Sequence, residues 1–212
     1  MIEAMRTRET PEDRPVRVPG GDKHPSLAAT MRAKTAPGQL ELIQRLMNTA
    51  RPGLADRLAD PSKLKSWLVR YNLMTDEIPV QPGDVALVQS FRSLLRSFIL
   101  QTASDAETEA LNALVAKVRP KVVFCTGTSI ALEGDTNSID GVLSQLLAIV
   151  AQASMSGDLK RLRLCKNPEC GRTFYDRSKN NNGVWCSMMT CGNKLNARTY
   201  RTRKTISNDE ET

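Results

Sequence analysis

The sequence predicts an α+β chain: a mainly helical N-terminal domain with one small β-hairpin, then a small C-terminal four-cysteine metal module ending in a basic helix. Three observations predict this. Apolar residues recur at helical spacing in five separate segments. A single stretch, residues 121–133, reads as two apolar runs about a glycine turn. Four of the five cysteines crowd together as C-x4-C, a fifteen-residue spacer and C-x4-C. At 212 residues and 40% hydrophobic content the chain can bury one medium core and carry a small module besides. No apolar run approaches the ~20 residues of a membrane span.

Residues 1–37 hold five of the eleven prolines and no aromatic residue, which reads as a disordered tail. A DNA-tracking arm is the weaker reading there, since Glu3, Glu9, Glu12, Asp13 and Asp22 dilute its charge. From Gly38 to residue 157 the pattern is that of a folded body. Leu40, Ile43, Leu46, Met47 and Ala50 mark the first helix, which Arg51-Pro52-Gly53 breaks. Asp60-Pro61 supplies a cap and a first-turn proline for a helix with Leu64, Trp67, Leu68 and Tyr71 on its apolar stripe. Asp84 is the expected cap of the longest helix. There Leu87, Val88, Phe91, Leu94, Leu95 and Phe98 form the buried side, and Arg92 and Arg96 the solvated one. Asp105 is the expected cap of a helix carrying Leu111, Leu114, Val115 and Val118. The hairpin over 121–133 follows, with Cys125 as a small buried hydrophobe. Ser138 then caps a strongly apolar helix through Ala153, and Ser156-Gly157-Asp158 ends it.

Residues 158–205 form the metal module, and 206–212 an acidic tail. Arg161 and Arg163 alternate with Leu162 and Leu164, as in a short strand. Cys165, Cys170, Cys186 and Cys191 are the candidate ligands of one structural Zn²⁺ per chain, because each short-spaced pair makes a tight turn presenting two thiolates. Two disulfides are a rival, but residues 1–15 contain no signal-peptide apolar run, so the cysteines point to a reducing cytoplasm. An iron–sulfur cluster is the other rival, with usual spacings shorter and less symmetric. A catalytic zinc fits poorly, since the only histidine is His24, in the tail. Phe174 and Trp185 read as the module's miniature core. Asn193 is the expected cap of a helix through Lys204 whose Lys194, Arg198 and Arg201 share one face.

These residues also carry a resemblance. Cys165, Cys170-Gly171, Phe174, Asp176, Trp185-Cys186-Ser187 and Cys191-Gly192-Asn193, followed by a basic helix, resemble the CGNR zinc finger. Lys194 stands where that signature has arginine, which keeps the charge and loses the planar fork. The finger typically follows an N-terminal ABATE domain in bacterial proteins described as candidate stress-induced transcription regulators. The stretch Leu40–Ala50, with its Asn48-Thr49 pair, resembles the opening of that domain. Asn48 is therefore a candidate ligand contact, beside the simpler reading of a buried amide satisfying backbone groups near a helix end.

Charge divides along the chain. Between Leu159 and Thr205 twelve Lys/Arg face two acids, a local +10 in a protein of net +7, so the remainder is acidic by −3. A basic tip on an acidic body is expected of a nucleic-acid binder. The reading is a DNA-binding transcription regulator with Lys194, Arg198, Arg201, Arg203 and Lys204 on nucleic acid, DNA before RNA. In it the body senses a small-molecule ligand or forms a homodimer, and no membrane is involved. RNA binding and a finger that only joins protein subunits are the alternatives. An enzyme is not expected, because no histidine, phosphate loop or nucleophile–base pair stands in the folded part.

Overall fold

The computed structural model describes residues 34–124, 126, 130–133 and 137–209, with side chains omitted at 130–133 and beyond Thr202. The readings of Cys125, the hairpin's glycine turn, residues 210–212 and most of the 1–37 tail fall outside the described residues. The body holds α1 (Leu40–Met47), α2 (Pro61–Arg70), α3 (Pro82–Ile99), α4 (Asp105–Val118), β1 (Lys121–Phe124), β2 (Ile130–Glu133) and α5 (Ile139–Met155). The finger adds a 3-10 turn (Leu159–Arg161), β3 (Leu162–Leu164), β4 (Thr173–Tyr175), a π-helical turn (Met188–Gly192) and α6 (Asn193–Asp209). β1 and β2 pair antiparallel from Lys121 opposite Glu133 to Phe124 opposite Ile130, as the sequence predicts. Among the described residues no helix is long and apolar enough to cross a membrane.

α5 is the hub of the body. Val142, Leu143 and Leu146 on it are wholly buried, and it packs against α1, α4 and β2. Asp60 and Ser138 cap α2 and α5 as read from sequence, accepting from the amides of Lys63 at 2.9 Å and Gly141 at 3.1 Å. Two other caps move by one to three residues. α3 starts at Gln81, whose amide donates to Asp84 at 2.7 Å, so Asp84 is the third-residue partner and not the cap. α4 starts at Ser104, boxed with Glu107 in the same way, which displaces Asp105. In both, the carboxylate three residues past the cap (Asp84, Glu107) reaches back to the cap residue's amide.

The larger correction concerns the side of α3 expected to face solvent. Its buried residues are Val85, Val88, Phe91, Arg92, Leu95 and Ile99, while Phe98 is 43% exposed. Arg92 donates to both carboxylate oxygens of Asp56, at 2.8 and 2.5 Å, and to Thr49 Oγ1 at 2.8 Å. Arg96 donates to the carbonyls of Met47 at 3.2 Å and Gly171 at 2.7 Å, and to Thr173 Oγ1 at 3.3 Å. A guanidinium with that many fixed acceptors can be buried on an otherwise apolar face.

Finger and body share packing. β3 and β4 pair antiparallel, Leu162 opposite Tyr175, and these two side chains together with Leu159 join the body's hydrophobic cluster. Phe174 points the other way, into a second cluster whose remaining buried members are Cys165, Cys186 and Cys191. The short hairpin is thus apolar on both faces, one toward α5 and α1 and one toward the sulfurs.

Candidate metal centre and nucleic-acid interface

The first cysteine pair is made by the loop between β3 and β4. The amide of Cys165 bonds Arg172 O at 2.8 Å, and that of Cys170 bonds Asn167 O at 2.9 Å, closing a turn stiffened by Pro168. Asn167 is 6% exposed. Its oxygen accepts the Glu169 amide at 3.1 Å and its nitrogen donates to Cys191 Sγ at 3.5 Å, so one side chain ties the first turn to the second. Sequence reading missed this residue. The Asn-Pro between the two cysteines was its only signal, since Asn before a proline-led turn is well placed to bond its own backbone.

The second pair sits on a helix start. Ser187 caps it, its Oγ accepting from Thr190 at 3.4 Å, and the π turn carries Cys191 directly into α6. Asn193, expected as the cap, has helical angles (φ −62°, ψ −40°) and lies inside the helix. Between the pairs, Asp176 is buried and organises the spacer. It accepts the amides of Ser178 at 3.0 Å and Gly183 at 2.6 Å and the Ser178 hydroxyl at 2.9 Å. A Cβ on Gly183 would lie 2.7–2.9 Å from that carboxylate, so the spacer's glycine is a close-approach residue. Burial pushes the Asp176 carboxyl up, but these donors and Lys34 outweigh it and hold the carboxyl below its usual value.

The four sulfurs meet. All lie within 4.8 Å of one another, with Cys170 to Cys186 at 3.6 Å and Cys186 to Cys191 at 3.8 Å. A tetrahedral ion with metal–sulfur bonds of about 2.3 Å needs sulfur–sulfur edges of about 3.8 Å, so these residues fit such an ion. All four are free thiols, which removes the disulfide alternative for them. Burial pushes the Cys165 and Cys186 thiols up, and the other cysteines push Cys186 further. Burial acts the same way on Cys191, yet the Asn167 amide and the neighbouring sulfurs bring it below its ordinary value. Four thiolates this close need a cation between them.

Asn48 resolves into a docking residue. Its Nδ2 donates to Thr173 O at 2.8 Å and its Oδ1 accepts the Thr173 amide at 2.8 Å, so the side chain pairs with β4 as an extra strand would. Gln44 adds a bond to Thr173 O at 3.3 Å. Asn48 also edges a cleft between α1, α2 and the finger.

The basic residues separate. Lys194 bonds Glu169 in the first cysteine turn, Nζ to Oε2 at 2.5 Å, and so bridges the two halves of the site. Arg198 and Arg201 are exposed, as is every residue of α6 from Asn196 to Thr202. The side chains of Arg203 and Lys204 lie outside the described residues, but the backbone keeps both on α6, which runs on past the expected end at 205 to Asp209. Tyr200 is 68% exposed on the same helix.

Residues 161–204 match the CGNR zinc finger. Residues 40–154 match the ABATE family, whose description is "Putative stress-induced transcription regulator". No curated protein matches the chain. Because the ABATE match spans more than half of its length, the protein belongs to the ABATE family, with a CGNR zinc finger behind the family's domain.

Proposed function

We propose that the protein is a DNA-binding transcription regulator in which one structural Zn²⁺ on Cys165, Cys170, Cys186 and Cys191 fixes a basic helix for contact with phosphates. The observation that carries this reading is the continuity of the π turn with α6: the ligand Cys191 is on the helix itself. When bound, zinc supplies the positive charge that four clustered thiolates require and the folding energy that so small a module lacks. The chain's own residues do the rest. Asn167 and Lys194 join the two cysteine turns, Asp176 closes the spacer, and Arg198, Arg201, Arg203 and Lys204 follow along α6. From Asn196 to Thr202 every residue of that helix is exposed, and a helix with so little packing of its own gains stability from what it binds.

DNA is favoured over RNA by the shape, since a single helix on a metal-fixed turn suits a major groove. The body is read as the sensing or dimerising part. No catalytic role is assigned, and four thiols held as a metal cluster suit a reducing cytoplasm. Exposed Met188 and Met189, at 53% and 44%, are the observation that favours the subunit-joining alternative. The test is anisotropy titration of the full chain against mixed-sequence duplex and the matching RNA over a range of salt. Neutralising Arg198, Arg201 and Arg203 together lowers the duplex salt slope by roughly 0.9 per lost phosphate contact. An unchanged slope removes α6 as the binding element, tighter RNA binding favours the RNA alternative, and a concentration-dependent dimer without nucleic-acid affinity favours subunit joining.

A further inference from the structure

The cleft beside Asn48 has a volume of about 350 Å³, within the range of small-molecule sites. Its walls are α1 and α2 on the body side and Arg172, Phe174 and Cys186 on the finger side. Five cations line it: Lys34, Arg45, Arg57, Arg70 and Arg172. Among the described residues a single acid lines it, Glu41, and that carboxylate is already bonded to Arg45. Three of the cations rest on ring faces. Lys34 lies 5.1 Å from the Phe174 centroid, and Arg45 and Arg70 lie 5.5 and 6.0 Å from that of Tyr71. Trp67 packs on Tyr71 at 4.9 Å, completing an aromatic wall. Arg57 and Arg172 have no ion-pair partner among the described residues, although Arg172 is half-buried.

Lys34 is paired with the buried Asp176 at 3.8 Å and Arg45 with Glu41, so Arg57, Arg70 and Arg172 give the recess its positive potential, which its low-dielectric walls strengthen. Flat rings beside those cations offer stacking area to a flat guest. A phosphate backbone needs no such aromatic recess, whereas a small acid with an aromatic body uses both features at once.

We propose that this cleft is a binding site for a small aromatic anion, a planar ring system bearing a carboxylate or phosphate. Arg57 and Arg172 hold the charge, and the partly buried Trp67 and Tyr71 hold the ring. Because β4 forms one wall while Asn48 bonds its backbone, the occupant touches both the body and the finger. The proposal gives the body's sensing role a chemical class, and it does not depend on nucleic-acid binding.

The experiment is calorimetric titration of the metal-loaded full chain with 1-naphthoate at low salt, with no nucleic acid present. Failure of the DNA reading therefore leaves its result untouched. Saturable one-to-one binding is expected, with the uncharged 1-naphthamide weaker by about tenfold or more. Arg57→Gln and Arg172→Gln should each weaken naphthoate by about tenfold as well. Arg57 is exposed, so its variant should keep the parent melting temperature and remains decisive even if Arg172→Gln fails to fold. No saturation at millimolar naphthoate, equal binding of the amide, or indifference to Arg57→Gln overturns the proposal. Absent naphthoate binding together with duplex affinity that falls in Arg57→Gln assigns these cations to phosphates instead.

Discussion

In the first C-x4-C-G unit the glycine, Gly171, has φ of +54°, its carbonyl accepts Arg96 from the body, and a Cβ there would collide with the Pro52 ring. In the second, Gly192 lies in a helical turn, and a Cβ would meet Trp185 at 3.0 Å and the flexible end of Met188. The sequence writes the two units alike, yet body contacts shape the first and a helix start shapes the second. One half of the metal site is thus held from outside the finger and the other from within it. The pair teaches that a repeated motif need not be a repeated structure.

The largest effect should come from removing what both halves share. Cys186→Ser should abolish stoichiometric metal by elemental analysis, forfeiting a contribution on the order of 10–16 kcal/mol to folding the module. Because Leu159, Leu162 and Tyr175 lie in the body's cluster, melting of the body should also drop, which hydrogen exchange in α5 can read. Iron in place of zinc would revise the metal, and a metal-free folded finger would end the reading.

The glycines separate the halves directly. Gly171→Ala should cost about 1–3 kcal/mol, since the residue must hold a left-handed backbone against Pro52. Gly192→Ala should cost less, within about 1 kcal/mol, because alanine suits a helix and Met188 can move. Equal losses in thermal melts would break the distinction. Asn48→Ala strips both backbone partners from Thr173 and should cost about 1–3 kcal/mol. A double cycle with Arg96→Ala should show coupling, as both hold the same few residues.

Acid should also loosen the body residues that hold the first half. The Arg92 guanidinium holds the Asp56 carboxyl below its usual value, with the Leu58 amide adding to this against the opposing effect of burial. A depressed native pKa stabilises above the unfolded value, near 4, and that stability is lost as pH falls through the native one. Asp56→Asn should therefore flatten the body's acid melting profile, and an unchanged profile would refute the assignment. The smallest effect belongs to Lys194 and Glu169, both exposed, where Lys194→Ala should leave the melting temperature almost unchanged. Lys194→Arg keeps the bridge, so binding-site selection should return the same sequence preference.

The sequence made several of these features legible and hid others for physical reasons. Cysteine spacing, the Asp60 and Ser138 caps and the hairpin are local signals and read correctly. Periodicity put Arg92 and Arg96 in solvent because it scores hydropathy, and it cannot see acceptors 36 and 75 residues away. Asn48 was visible as unusual, but its partner is a strand 125 residues on. Asn193 looked like a cap because the π turn before it carries no hydropathy signature, whereas Ser187, three residues before Thr190, already fills the role.

The joining of Cys191 to α6 has a mechanical consequence. From Gly192 to Asp209 the helix extends about 25 Å at 1.5 Å per residue, anchored at one end by a sulfur. A tilt of about 10° at that anchor swings the far end by about 4 Å, more than the ~3.4 Å step between stacked base pairs. α6 is a lever with its fulcrum at the four clustered sulfurs. A slight change in the angle at which one thiolate is held becomes a change of register at the tip, opposed near the base only by the exposed Lys194–Glu169 bridge and the partly buried Leu195.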